Sequence, residues 1–374
     1  MKNQNNPKQK RILLHVGLHK TASTYIQQIL GQSNQSLRKQ GWNFPIYSDG
    51  QKNDLTNHSN LLYTLFAENT DSYVPNIQSK SNNQELFNIF ENTLKSELQS
   101  DFNLILSGED VSALSEASLH KLAKVLEPYE LTVIAFVRES YSYLCSNLQH
   151  RIHRGAHGLK VEVPSLSKNC IRLKEAFPDI KFYSYEKVKA EKNGFMNVFS
   201  ELCEISIKPI NKRIFANVSL GNKTIRFLAE FNQYYPLIGE DNQLNPHRPS
   251  FNVKKIDFDP NKFLLTKSEY LTIEKQIRQE NNRLRTCTKL SMIRTVRPIP
   301  FADESELTWN EALKLLTKTS TMPNALAHIA FIYVLKQQVG QKAFKYFRPY
   351  LNFALIKYNI FKRVKNLLPK RQLR

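Results

Sequence analysis

Eight consecutive residues near the start of the chain, Gly17, Leu18, His19, Lys20, Thr21, Ala22, Ser23 and Thr24, gather one glycine, one ammonium, one imidazole and three hydroxyls. That set suits an anion. Upstream, Ile12-Leu13-Leu14-His15-Val16 is a short apolar run of the kind that forms a buried parallel strand. Downstream, Ile26, Ile29, Leu30 and Leu37 recur at helical spacing up to Gly41, so the order is strand, tight turn, helix. A helix start carries unpaired backbone N–H groups and a partial positive charge, and Lys20, Thr21, Ser23 and Thr24 add donors around it. An ordinary capped helix following a strand is the competing reading. The spacing is not that of G-x-x-x-x-G-K-[ST], because Lys20 comes three residues after the only glycine.

Gly17-Leu18-His19-Lys20-Thr21-Ala22-Ser23-Thr24 resembles the G-x-x-K-T-G-T-T turn of sulfotransferases that use 3′-phosphoadenosine-5′-phosphosulfate, with Ala22 for the usual Gly and Ser23 for a Thr. A second segment carries the same resemblance. Thr132-Val133-Ile134-Ala135-Phe136-Val137 is β-branched and apolar, Arg138 closes it, and Ser146 follows eight residues on; Glu139-Ser140 stand where the family more often has Asp-Pro. The resemblance spans residues 11–237 and is specific only at these two motifs. It implies a nucleotide-kinase-like α/β fold and a donor nucleotide held at its phosphosulfate by Gly17, His19, Lys20, Thr21, Ala22, Ser23 and Thr24. It further implies that Arg138 and Ser146 hold the 3′-phosphate, for which an Arg fork and a hydroxyl supply donors in fixed geometry.

Sulfuryl transfer to a hydroxyl needs in-line attack and a group that takes the hydroxyl proton. Glu109, in Gly108-Glu109-Asp110 after the apolar run 102–107, is the leading candidate, because some members of the family place the base at the end of the strand between the two nucleotide motifs. A plain helix-start acid is the alternative there. His58, in Asn57-His58-Ser59, is the rival base; it reads equally as a capping or exposed residue. His19 reads as a donor to an anion, or as a loop residue with no role. Lys20 would stabilise the oxygen linking sulfate to phosphate as charge builds on it, without an obligatory metal. No Asp cluster for a metal is evident, and none is expected.

These residues need a frame to hold them. Strands are expected at 12–16, 102–107, 132–137 and 181–186, with a brief edge segment at 43–45. Helices are expected at 61–68, 84–99, 115–126, through Ser146, and over 217–237 and 267–286. Strands alternating with helices mean an α/β fold, a doubly wound parallel sheet flanked by helices that binds ligands at the carboxyl ends of its strands. The chain divides into a disordered lead (1–10), an α/β core (11–240), a loop and helix (241–300) and a basic helical extension (301–374). Four cysteines, Cys145, Cys170, Cys203 and Cys287, show no C-x-x-C pair, so neither a disulfide framework nor a zinc site is suggested.

After Ser146 comes the basic run Gln149-His150-Arg151-Ile152-His153-Arg154. Cations there complement a helix C-terminus; alternatively Arg151, His153 and Arg154 form the rim that binds an acidic carbohydrate acceptor. The formal net charge is +20, and residues 312–374 supply thirteen Lys or Arg and no Asp or Glu. Basic residues interleaved with Phe344, Tyr346, Phe347 and Phe361 suit docking to an anionic membrane surface. Packing on the core with a solvated basic face competes with this. Nucleic acid is the weaker third reading, since no named nucleic-acid motif is present. The apolar run 325–335 is too short to span a bilayer, and residues 1–11 hold no hydrophobic signal core. A cytoplasmic enzyme, docked on the inner face of a membrane, is the expectation. The function expected is sulfation of a hydroxyl on a cell-surface polysaccharide or glycolipid; the alternatives are a P-loop kinase acting on a small molecule or sugar, or a catalytically silent nucleotide-binding protein.

Overall fold

The first apolar run of the chain is the middle strand of a sheet. The protein is described by a computed structural model covering residues 9–48, 54–71, 73, 75–76, 83–156, 158–207, 220–237, 245, 248, 261–291 and 301–302. Its strands are β1 (Arg11–His15), β2 (Trp42–Asn43), β3 (Tyr47–Ser48), β4 (Asp54–Leu55), β5 (Asn103–Ser107), β6 (Glu130–Val137) and β7 (Lys181–Ser184). Five form one parallel sheet in the order β2-β5-β1-β6-β7, while β3 and β4 make a separate antiparallel pair. Helices fill the connections: α1 (Ser23–Gln32), α2 (Asn34–Arg38), α3 (Ser59–Phe66), α4 (Asn83–Gln99), α5 (Glu116–Leu126), α6 (Ser140–His153), α7 (Leu166–Ala176), α8 (Tyr185–Ala190), α9 (Gly194–Cys203), α10 (Asn222–Tyr234), α11 (Lys267–Leu271) and α12 (Glu274–Thr288). The protein is an α/β protein with a five-stranded parallel sheet flanked by helices.

Strand side chains alternate between faces, and the central strands are buried on both, which is why they read as unbroken apolar runs. On one face Ile12, Leu14, Leu104, Leu106, Val133 and Ala135 join a core completed by α3, α4, α5 and α7. On the other, Leu13, Ile105, Ile134 and Phe136 meet Ile26, Ile29 and Leu30 of α1 and Phe195 and Phe199 of α9. Each fully buried Leu or Ile contributes about 1.5–3 kcal/mol. The strand expected at 181–186 stops at Ser184, whose side chain accepts from the Lys187 N–H and starts α8, so Tyr185 and Glu186 are helical. The single helix expected over 267–286 is two: α11, opened by a capping box between Thr266 and Glu269, and α12.

The chain forms two compact units. Described residues within 1–144, 162–217 and 273–298 make the first, which contains the sheet. Those within 145–161, 218–272 and 299–374 make the second. Helix α12 belongs to the sheet unit, its Glu280 carboxylate accepting from the Ser167 N–H and hydroxyl at the start of α7. The second unit is held by the bidentate pair of Arg226 with Glu269, at 2.7 and 2.8 Å, and by Asn232, whose amide donates to the carbonyls of Ile152 and Ala156. The lead at 1–8, most of the 241–260 loop, the segment 292–300 and the basic extension from 303 onward lie outside the described residues, so the expectations for them stay as sequence readings. No helix among the described residues is long and apolar enough to cross a membrane.

Candidate functional site

Gly17 follows β1, Glu109 follows β5 and Arg138 follows β6, so three predicted residues stand at the carboxyl ends of three adjacent strands. From β1 the connections lead to one side of the sheet and from β5 they cross to the other, which makes this end the switch point where open α/β sheets bind ligands.

The turn begins as an extension of the β1–β6 ladder. Val16 N–H donates to the Ile134 carbonyl at 3.0 Å, Leu18 N–H to that of Phe136 at 3.2 Å, and Phe136 N–H to the Gly17 carbonyl at 2.7 Å. Gly17 has φ +98°, and a Cβ there would lie 3.0 Å from Glu109 Cα, so the residue after β1 and the residue opening the segment after β5 touch through their backbones. The Thr21 hydroxyl, fully buried, donates back to the Leu18 carbonyl and closes the turn. Lys20 and Ala22 are both left-handed, at φ 61° and 72°. Left-handed residues alternating with others turn successive N–H groups toward one concavity, the backbone nest that binds anions. Ala22 is the N-cap of α1 and offers no side-chain cap; no acid lies in the first turn, and the buried Ser23 hydroxyl has no partner among the described residues. Thr24 is exposed and His19 and Lys20 are half-buried. A helix N-terminus without its own cap, beside a buried unpaired hydroxyl, fits an anion.

Arg138 is locked onto this turn. Its Nη1 donates to the Lys20 carbonyl at 2.9 Å, its Nε to the Ser142 hydroxyl at 2.9 Å, and its guanidinium lies 4.7 Å from the Tyr185 ring centre. Nη2 makes no hydrogen bond among the described residues. Glu139, at the place of the family's usual Asp, caps α6: its carboxylate accepts from the N–H groups of Tyr141 and Ser142 and from the Asn281 amide.

Glu109 opens a 3₁₀ turn (Glu109–Ala113) rather than an α-helix. Its Oε2 accepts from the Gln27 amide at 3.0 Å, and the same amide nitrogen reaches the Ser107 carbonyl and Asn57 Oδ1, both at 3.1 Å. Gln27 is buried on α1, so the helix that follows the turn also orients the carboxylate. Next to Glu109, Asp110 Oδ1 lies 3.1 Å from His19 Nε2, and Oδ2 accepts from the Tyr73 hydroxyl at 2.6 Å. Burial alone would lower the His19 pKa, but the Asp110 hydrogen bond and charge, with Glu109 adding to them, raise it. Asp110 is shifted the opposite way: burial works against its charge, and the bonds from His19 and Tyr73 hold its carboxyl below the usual range. Gln27, Asp110 and Tyr73 were not among the expected site residues. A glutamine one turn into α1 and an acid following Glu109 were the available signals.

His58 is not a base. It is fully buried, its Nδ1 accepts the Ser107 N–H at 2.9 Å and its Nε2–H donates to the Pro45 carbonyl at 2.8 Å, so neither nitrogen can take a proton from a substrate. Burial drops its pKa to about 4. The sequence expectation of a polar, accessible loop fails because Gly108 lets the backbone of His58 and Ser59 close onto β5: a Cβ on Gly108 would lie 2.8 Å from Ser59 N. His15 is likewise buried, bonded to the Ser107 hydroxyl at 2.8 Å, with its pKa pushed down to about 3 by burial.

Ser146, Arg151, His153 and Arg154 lie on or just past α6 beyond Leu144 and belong to the second unit. Ser146 is half-buried; Arg151, His153 and Arg154 are exposed at the helix end, where the charge of the two arginines complements its C-terminal carbonyls. What the sheet unit brings together is thus the turn 17–24, Arg138 and Glu109. No protein-family model matches the chain, and no curated protein matches it.

Proposed function

We propose that the protein is a sulfotransferase of nucleotide-kinase-like fold that moves a sulfuryl group from 3′-phosphoadenosine-5′-phosphosulfate to a hydroxyl of a carbohydrate. The observation that carries this reading is the convergence of an uncapped anion nest at Lys20–Ser23, an arginine bonded to that nest, and a carboxylate whose backbone packs on Gly17. The donor is a substrate and supplies the activated sulfuryl group. The nest N–H groups, the Ser23 hydroxyl and Lys20 suit its phosphosulfate end, and Arg138 suits its 3′-phosphate; the part given to Ser146 rests on the resemblance alone. Glu109, oriented by Gln27, takes the proton of the attacking hydroxyl, and Lys20 offsets charge that grows on the leaving phosphate oxygen. Arg151, His153 and Arg154 are assigned to an acidic acceptor, and the basic extension to an anionic membrane surface on the cytoplasmic side.

The test is a melting-point comparison with adenosine 3′,5′-bisphosphate, ADP and AMP at equal concentration. A ligand bound only by the folded state stabilises it by about 2.7 kcal/mol at a hundredfold excess over its dissociation constant. The reading expects the 3′-phosphorylated nucleotide to raise the melting point most, without Mg²⁺. Preference for ADP, gained only with Mg²⁺, would instead remove the sulfotransferase reading and leave the kinase and the catalytically silent nucleotide-binding protein.

A further inference from the structure

The acid next to Glu109 has a use that the sulfotransferase reading does not supply. Asp110 accepts one bond from His19 and one from Tyr73, so its two oxygens join the anion turn to the segment ahead of α4. Tyr73 is itself fixed, its ring stacked on Tyr63 with centres 4.3 Å apart. The carboxylate is therefore held from behind and presents its other oxygen to the imidazole. With Nε2 engaged, the Nδ1 side of His19 is the part left to act at the turn.

We propose that Asp110, anchored by Tyr73, is a positioning residue that orients the His19 imidazolium as a second cation of the turn, beside Lys20, for the anion bound there. The proposal rests on the anion-binding role of the turn and goes beyond it by naming how the site depends on pH. Among the described residues, the charged groups that face His19 are Asp110 and Glu109 from the 3₁₀ turn and Lys20 from its own turn; the two acids outweigh the lysine and the burial. His19 therefore stays charged to higher pH than an ordinary histidine, and the donor disappears once it deprotonates. Anion affinity should fall across that step.

Inorganic sulfate is the probe, because its own charge does not change between pH 6 and 9. A charge-assisted hydrogen bond of this kind is worth about tenfold in affinity, so the wild-type protein should bind sulfate about tenfold more weakly at pH 9 than at pH 6. His19→Gln should bind at the weak level throughout. Asp110→Asn should move the midpoint to lower pH, and Tyr73→Phe should do so by less. The His19 ring resonances, identified by their loss in His19→Gln, should titrate with the same midpoints. A flat wild-type profile, no stabilisation by sulfate at any pH, or a His19 midpoint that Asp110→Asn leaves in place overturns the proposal. Sulfate binding that follows the predicted profile without any preference for adenosine 3′,5′-bisphosphate over ADP would keep this inference and remove the sulfotransferase reading; the reverse pattern would do the opposite.

Discussion

His19 and His58 are the same residue type, each beside a strand end of one sheet, and their environments drive them in opposite directions. His19 is half-buried with the Asp110 carboxylate 3.1 Å away, which raises its pKa, whereas His58 is buried between the Ser107 N–H and the Pro45 carbonyl and falls to about 4. One is built to carry charge and the other to avoid it. The turn after β1 is thus a region of left-handed residues with a buried hydroxyl, that of Ser23, unmatched among the described residues, and the loop ahead of α3 is a region where every polar atom of the histidine ring is matched. Function should be lost from the first and stability from the second.

The largest effects separate the two regions by what they change. Under the proposed function, Lys20→Ala should cut sulfuryl-transfer turnover by ~10²-fold or more, and Glu109→Gln by at least ~10²-fold, with little change in urea midpoint. Near-normal turnover in folded Lys20→Ala would end its assignment. If instead both variants unfold at much lower urea, the turn is structural and the contrast with the His58 loop disappears.

His58→Leu should do the reverse. It leaves the Ser107 N–H and the Pro45 carbonyl without partners, which costs about 2–3 kcal/mol of stability. It should also change the response to acid. His15 and His58 have folded-state pKa values of about 3 and 4, below the unfolded value of 6.5, so unfolding takes up a proton at each. Their contribution is complete above pH 6.5 and is lost as pH falls toward the folded values. Each should cost about 2 kcal/mol between pH 7 and pH 5. His19 opposes them, since its raised pKa adds stability below the unfolded value that is lost as pH rises through the folded one. Urea denaturation at pH 7 and pH 5 should therefore show a clear loss in the wild-type protein and about half that loss in His58→Leu. An equal loss in both would remove His58 from the account.

The difference between these histidines also marks what the sequence can convey. The runs at 12–16, 102–107 and 132–137 announced three central strands because burial on both faces demands continuous apolar residues, and the amphipathic spacing of 84–99 and 115–126 announced α4 and α5. The turn was legible from residue types packed into eight positions. His58 was not, because its burial follows from Gly108 admitting a neighbouring backbone, a contact between residues fifty positions apart. Asp110 and Gln27 were missed for a related reason: each acts through a partner far along the chain, His19 and Glu109 respectively. The interleaving of the two units was hidden too, since Glu280 of α12 reads in isolation as one more charge on a polar helix, yet it caps α7 from inside the sheet unit.

The smallest expected effect tests the turn itself. Ala22 sits at φ 72°, a conformation that disfavours any residue with a Cβ. Ala22→Gly removes that penalty but loosens the unfolded chain, so the two effects partly cancel and the net gain should be about 0.5–1 kcal/mol. In the His58 loop a glycine substitution brings no such relief, so only the turn should be stabilised by it. The Ala22 methyl packs against the core that holds Ile26, Ile29 and Phe195, so the change leaves the backbone donors of the turn in place, and sulfate or adenosine 3′,5′-bisphosphate should bind at least as tightly as before. A stability gain with weakened binding would mean that the turn needs the rigidity of alanine to hold the anion; a stability loss would mean that the packing of the methyl on the core and the looser unfolded chain outweigh the relief of the left-handed backbone.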